Sequence, residues 1–124
     1  MRRTYREGGG FEEAAAYSRA VRIGQHVAVS GTAARKGGDA YVQAREAIGR
    51  ALEAAGELGA AKEDVLRTRL LLAPGCDWEG AVRAHAEAFA GIDPANTTYF
   101  VSGFIPEGVL VEFELDAVVL EPPR

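Results

Sequence analysis

The last third of the chain carries ionisable residues in a regular rhythm. Across residues 109–119 side chains alternate, so Val111, Phe113, Leu115, Ala117 and Val119 fall on one face of an extended strand and Leu110, Glu112, Glu114, Asp116 and Val118 on the other. A carboxylate partly withdrawn from water rises in pKa and becomes useful as a base near neutral pH, which makes Glu112 a candidate catalytic residue. The competing reading of Glu112 is a structural ion pair across the sheet. Elsewhere the reactive types stand apart. His26 opens a strand and His85 sits within a helical stripe, so neither has metal-ligand spacing with the other or with Cys76. Ser30-Gly31 has no partnered histidine in a known order, which argues against a seryl intermediate. Cys76 has no neighbour that would lower its pKa and reads as a loop thiol. Gly8-Gly9-Gly10 reads as a flexible turn without the following helix that a phosphate loop requires.

The elements that must position these residues follow from periodicity. Residues 17–23 and 26–30 are rich in β-formers and separated by Gly24-Gln25, the pattern of a tight hairpin, and Gly31 ends the second run where an unusual φ is wanted. Residues 40–55 place Ala44, Ile48, Ala51, Leu52 and Ala55 at helical spacing, with Asp39 as N-cap, Gly56 as the left-handed C-terminal residue, and Gln43, Arg45, Glu46, Arg50 and Glu53 facing solvent. Residues 65–72 read as a strand, and a strand following a helix predicts a βαβ crossover and a mixed sheet. Asp77 caps a second helix whose stripe of Trp78, Val82, His85 and Phe89 is predicted to face the core, and Ile92-Asp93-Pro94 ends it. A short strand at 99–101 and a turn at 105–108 precede the closing strand.

Composition narrows the function classes. With 124 residues, 48% hydrophobic and 26% charged, the chain has the size and make-up of one folded domain spanning 1–124. A formal net charge of −4 gives no general electrostatic reason to seek phosphate backbones, so no nucleic-acid partner is expected. One cysteine cannot form an internal disulfide, and the N-terminus has basic residues without an apolar stretch behind them. The expectation is a soluble cytoplasmic protein with no membrane association. Two helices on one face of the sheet would leave the acidic and apolar face uncovered, which predicts association with further copies.

The order strand, strand, helix, strand, helix, strand, strand resembles the chorismate-mutase-like α+β fold of the Rid (YjgF-like, reactive intermediate deaminase) family. Local motifs match it as well: Tyr17, Ile23-Gly24-Gln25, Val29-Ser30-Gly31, Gln43-Ala44-Arg45, Ala54-Ala55-Gly56, Glu87-Ala88-Phe89, and Ile105-Pro106 followed by Val111-Glu112-Phe113-Glu114. The resemblance implies a homotrimer with small-molecule clefts between subunits. It also implies hydrolysis of reactive 2-imino or 2-enamino acids to 2-oxo acids and ammonia, with neither metal nor organic cofactor. The family's cleft tyrosine falls on Tyr17, its serine and glycine on Ser30 and Gly31, and its water-orienting glutamate on Glu112. The arginine that grips the substrate carboxylate has no counterpart, since its position falls on Thr97.

A threonine hydroxyl cannot replace a bidentate guanidinium, and removing one partner of such a pair typically costs about 2–5 kcal/mol. Arg19 and Arg69 are the candidates for a replacement cation. The resemblance therefore supports two readings, a deaminase-like hydrolase acting in an intersubunit cleft and a noncatalytic trimeric protein that binds a metabolite or docks a partner. A ribonuclease or translation inhibitor is a third reading, disfavoured by the acidic balance.

Overall fold

The computed structural model describes residues 1–120. Strands β1 (Arg2–Tyr5), β2 (Ala20–Ile23), β3 (His26–Ala33), β4 (Val65–Leu72), β5 (Ala95–Phe100) and β6 (Val111–Val118) form one sheet in the order β1-β2-β3-β6-β4-β5. Helices α1 (Gly10–Ala15), α2 (Ala40–Glu57) and α3 (Trp78–Phe89) complete the fold. β3 and β4 both pair antiparallel with β6, so they run parallel to each other and α2 is the crossover between them. β4 and β5 pair directly in parallel and α3 connects them. The sheet is mixed, as the placement of strands around helices predicts.

β6 lies at the centre and shows the alternation most clearly. Val111, Phe113, Leu115 and Ala117 are at most 1% exposed, while Glu112, Glu114 and Asp116 between them remain half-buried. α2 and α3 both pack on the apolar side. Alanines at 40, 44, 47, 51 and 55 let α2 approach the sheet closely, and Phe89 of α3 stacks on Phe113 with ring centroids 6.0 Å apart. The Asp39 carboxylate accepts from the Val42 amide at 2.9 Å, and Asp77 caps α3 through the Gly80 amide at 3.1 Å.

Several local expectations are corrected. A helix does follow the glycine run, since α1 begins at Gly10, although it is only six residues long. α2 continues past Gly56 to Glu57, and the left-handed residue is Gly59, with φ of 91°. Trp78 is 50% exposed and Val82 is only partly covered, so the buried stripe of α3 runs instead through Gly80, Ala81, Ala84 and Phe89. The reason is the edge of the sheet: Trp78 and Val82 overhang β5, where Tyr99 and Phe100 form the far side of a shallow hollow. β5 starts four residues earlier than predicted because Asn96, Thr97 and Thr98 are weak strand signals held by pairing with β4.

His85 is structural. Its Nε2 lies 2.8 Å from Thr68 Oγ1, which also accepts from Asn96 Nδ2 at 3.0 Å, and burial holds its pKa below the ordinary histidine value.

Candidate functional site

The β2–β3 hairpin and β6 build a pocket on the acidic side of the sheet. The register between β3 and β6 shifts between Val29 and Thr32, so Ser30 and Gly31 sit in an irregularity of the strand. Gly31 makes room there for a side chain that the sequence did not reveal. Its φ is not in the left-handed region, but a Cβ built on it would stand 2.6 Å from Glu112 Oε1 and 3.9 Å from Glu114 Oε2. A side chain here would push the Glu112 carboxylate out of its present position, whereas Glu114 stands at ordinary contact distance.

Glu112 is half-buried, and its pKa is raised above the ordinary glutamate value. Burial is the main cause; the Arg19 guanidinium opposes it and the Glu114 carboxylate adds to it. A carboxylate raised toward neutral pH and still ionised there is a stronger proton acceptor than an exposed one, the property a general base needs.

Arg19 precedes β2, and its carbonyl accepts from the Ser30 amide at 2.9 Å, which fixes it beside the irregularity. Its side chain is buried, with Nη1 donating to Thr32 Oγ1 at 3.3 Å and Nε 3.9 Å from Glu12 Oε2. The guanidinium carbon lies 5.6 Å from the Tyr17 ring centroid, within cation–π range. Ser30 Oγ donates to the Ser18 carbonyl at 2.7 Å, so its proton is committed to the backbone rather than to chemistry.

Together these residues wall a cavity of about 780 Å³. Tyr17, Arg19, Ser30, Gly31, Glu112 and Glu114 form its polar side, and Phe11, Phe104, Ile105 and Pro106 its apolar rim. Arg50 of α2 also reaches it, contrary to the solvent-facing position that helical periodicity assigned. Its Nη2 pairs with Glu7 Oε1 at 2.6 Å and its Nη1 donates to the Ala33 carbonyl, while Arg35 holds the other Glu7 oxygen at 2.9 Å. Glu7, Glu12 and Arg50 are thus members of the wall that sequence reasoning missed. They come from the N-terminal segment and a helix flank, which no strand alternation connects.

Thr97 is not brought to this cavity by the chain's own fold. It lies exposed on β5, paired in register with Arg69, and β4 and β6 separate β5 from β3. Arg69 likewise stays out of the wall and contacts Glu114 Oε1 at 3.5 Å. The Cys76 thiol packs near the Leu110 carbonyl, and burial pushes its pKa up. Among the described residues no group of three or more His, Cys, Asp or Glu side chains is placed to hold a metal ion.

A family model described as Endoribonuclease L-PSP matches residues 10–119, from α1 through β6. The chain belongs to that family, also called YjgF/UK114. An uncharacterized protein of Streptomyces coelicolor is 41% identical to this L-PSP-family chain over 121 residues, covering 93% of this chain and 90% of that one. The crystal structure of a Mycobacterium tuberculosis member of the YjgF/YER057c/UK114 family superposes with a TM-score of 0.91 at 41% identity, covering 96% of this chain and all of that one. A YjgF-family protein of Neisseria meningitidis shares the fold at 21% identity, with a TM-score of 0.83 and 98% of each chain covered. The mixed sheet with three helices is therefore the YjgF architecture, and membership of the family supports a Rid-like small-molecule function in general.

Proposed function

We propose that the cavity beside Glu112 hydrolyses a small reactive imine or enamine to the carbonyl compound and ammonia. The observation that carries this reading is a half-buried glutamate of raised pKa, seated over a bare glycine in a cavity that also holds a guanidinium. Water adds to the imine carbon as the C=N π pair moves onto nitrogen. Glu112 takes the proton that water releases and returns it to the nitrogen of the tetrahedral adduct. A second proton then passes from the adduct's hydroxyl through Glu112 to nitrogen as the C–N bond breaks and the C=O bond forms, so ammonia leaves and no redox partner is needed; an enamine first takes a proton on its β-carbon to become the imine. Ser30 and Tyr17 shape the wall, and Gly31 admits the glutamate.

A homotrimer with the cavity mouth at the seam between copies is part of the same proposal. Ile105 at the rim is 91% exposed, and the apolar Tyr99 and Phe100 stand bare at the β5 edge, which supports cover by sister chains. Thr97 favours a second reading, a binding protein without turnover, because it supplies no cation from β5. A ribonuclease is poorly supported, since Glu7, Glu12, Glu112 and Glu114 outnumber Arg19 and Arg50 in the wall and would repel a polyphosphate.

The deciding experiment generates an imine in situ and follows ammonia release or the loss of a trapped imine adduct, on a sample sized by light scattering. Accelerated hydrolysis by a species of three chain masses is expected. Unchanged ammonia release would remove the hydrolase reading, and a stable monomer at micromolar concentration would remove the seam.

A further inference from the structure

We propose that residues 7–16 are a hinged flap over the cavity, held down by a latch at the Glu7 carboxylate and lifted to let a ligand reach Glu112. The inference concerns access to the cavity and does not depend on the reaction carried out there. The segment has no apolar anchor. Helix α1 has six residues, too few to be stable in water without contacts that hold it. Glu12 is its one buried residue, at 4% exposed, whereas Phe11 is 64% exposed at the cavity rim. No residue before Ala20 belongs to the fully buried apolar core, and Tyr5 of β1 packs only at its edge.

What holds the segment is polar. The Glu7 carboxylate bridges Arg50 of α2 at 2.6 Å and Arg35, just past β3, at 2.9 Å, while the Glu7 amide donates to Glu12 Oε1 at 3.0 Å. Glu12 in turn stands 3.9 Å from Arg19 Nε, beyond hydrogen-bond reach. Both ends of the segment are built to turn. Gly8 has a φ of 87° and is followed by Gly9 and Gly10, so the backbone there can swing without meeting a side chain of its own. Ala16 closes the other end at a φ of 60°, a conformation that a residue with a Cβ adopts under strain.

The latched arrangement carries a second cost. Arg50 Nε is buried without a hydrogen-bond partner among the described residues, because its terminal nitrogens serve Glu7 and the Ala33 carbonyl. Lifting Glu7 lets water reach that donor and lets Ala16 leave its strained conformation. Two ion pairs, one of them to the largely exposed Arg35, therefore work against an unpaired donor and a strained hinge, a balance that a bound ligand can tip. Movement here alters the site directly. Glu7, Gly9, Phe11 and Glu12 are all part of the cavity wall, and the Phe11 ring meets the Tyr17 ring edge-on with centroids 5.9 Å apart.

Amide hydrogen exchange of the whole chain, followed residue by residue, tests the flap without requiring turnover. The Ala16 and Tyr17 amides donate to the Glu13 and Glu12 carbonyls, so they report opening of the segment. In wild type they are expected to exchange together, at least about 100-fold faster than the amides of β3 and β6. Glu7→Gln keeps the shape of the latch without its charge, and is expected to speed both by about 3–10-fold while β3 and β6 are unchanged. Saturation with 2-oxobutyrate, a small 2-oxo acid, is expected to slow them as the flap closes on it. Exchange at Ala16 and Tyr17 as slow as in the central strands, or no more responsive to Glu7→Gln than β6, would overturn the proposal. So would an acid that shifts the Gly31 amide yet leaves exchange at Ala16 and Tyr17 unaltered. The rates in free protein decide even where no acid binds. Ammonia release enters none of these readouts, so failure of the hydrolysis reading leaves the flap standing, and a rigid segment leaves the hydrolysis reading untouched.

Discussion

Glu112→Gln is expected to lower imine hydrolysis by about 10²–10⁴-fold, the usual contribution of a positioned general base, while 2-oxobutyrate still binds. The amide keeps the shape that fits over Gly31 but cannot accept a proton from water. The pH dependence follows from the sign of the shift. The folded pKa of Glu112 lies above the ordinary value of 4.5, so the active ionised form is lost as pH falls through that raised pKa, and the acid limb of the rate profile should lie above 4.5. Stability runs the other way. A carboxyl whose pKa is raised on folding contributes fully below its unfolded pKa and loses that contribution as pH rises through the folded value. At pH 7 the variant should therefore melt no lower than wild type, and at pH 4 any advantage should disappear. Steady-state rates from pH 4 to 9 with parallel thermal melts check both statements. A Glu112→Gln variant with undiminished imine hydrolysis would show that the proposed base is elsewhere.

Phe113→Ala is expected to cost about 3–5 kcal/mol of stability, a large share of the roughly 5–15 kcal/mol typical of a folded domain. Phe113 is fully buried on the central strand, and its ring lies 6.0 Å from Phe89 and 6.2 Å from the His85 ring. Truncation empties the space where α3 meets β6, and neither the strand nor the helix can move in without losing pairing to β3 and β4 or contact with α2. Glu112 precedes this residue, so a loosened strand should also blur the site. Urea denaturation measures the loss, and a change below about 1 kcal/mol would mean that the core repacks around the gap.

How much of this could be read from the sequence depends on what each residue answers to. β6 was legible because burial of one face enforces strict alternation, and Asp39 and Asp77 were legible because a cap acts within three residues. Trp78 and Val82 were misread because a helical stripe identifies a face but not whether the sheet extends beneath it. β1 and α1 escaped because four and six residues carry too little periodicity, and β1 is an edge strand held by β2 alone. The site was legible only in part. Tyr17, Ser30, Gly31 and Glu112 do gather around one cavity, but the reason for Gly31 is a carboxylate on the neighbouring strand β6, remote in sequence, and Thr97 lies on the edge strand β5. Arg19 gains its meaning from Thr32, Glu12 and Tyr17, contacts that no local pattern encodes.

Ligand position can be read directly by backbone amide NMR during titration with 2-oxobutyrate. The largest shift changes are predicted at Arg19, Ser30, Gly31 and Glu112, with little change around Trp78 and Phe100. Shifts clustered instead at the hollow between α3 and β5, or none at all at millimolar acid, would contradict the placement of the ligand in the cavity beside Glu112.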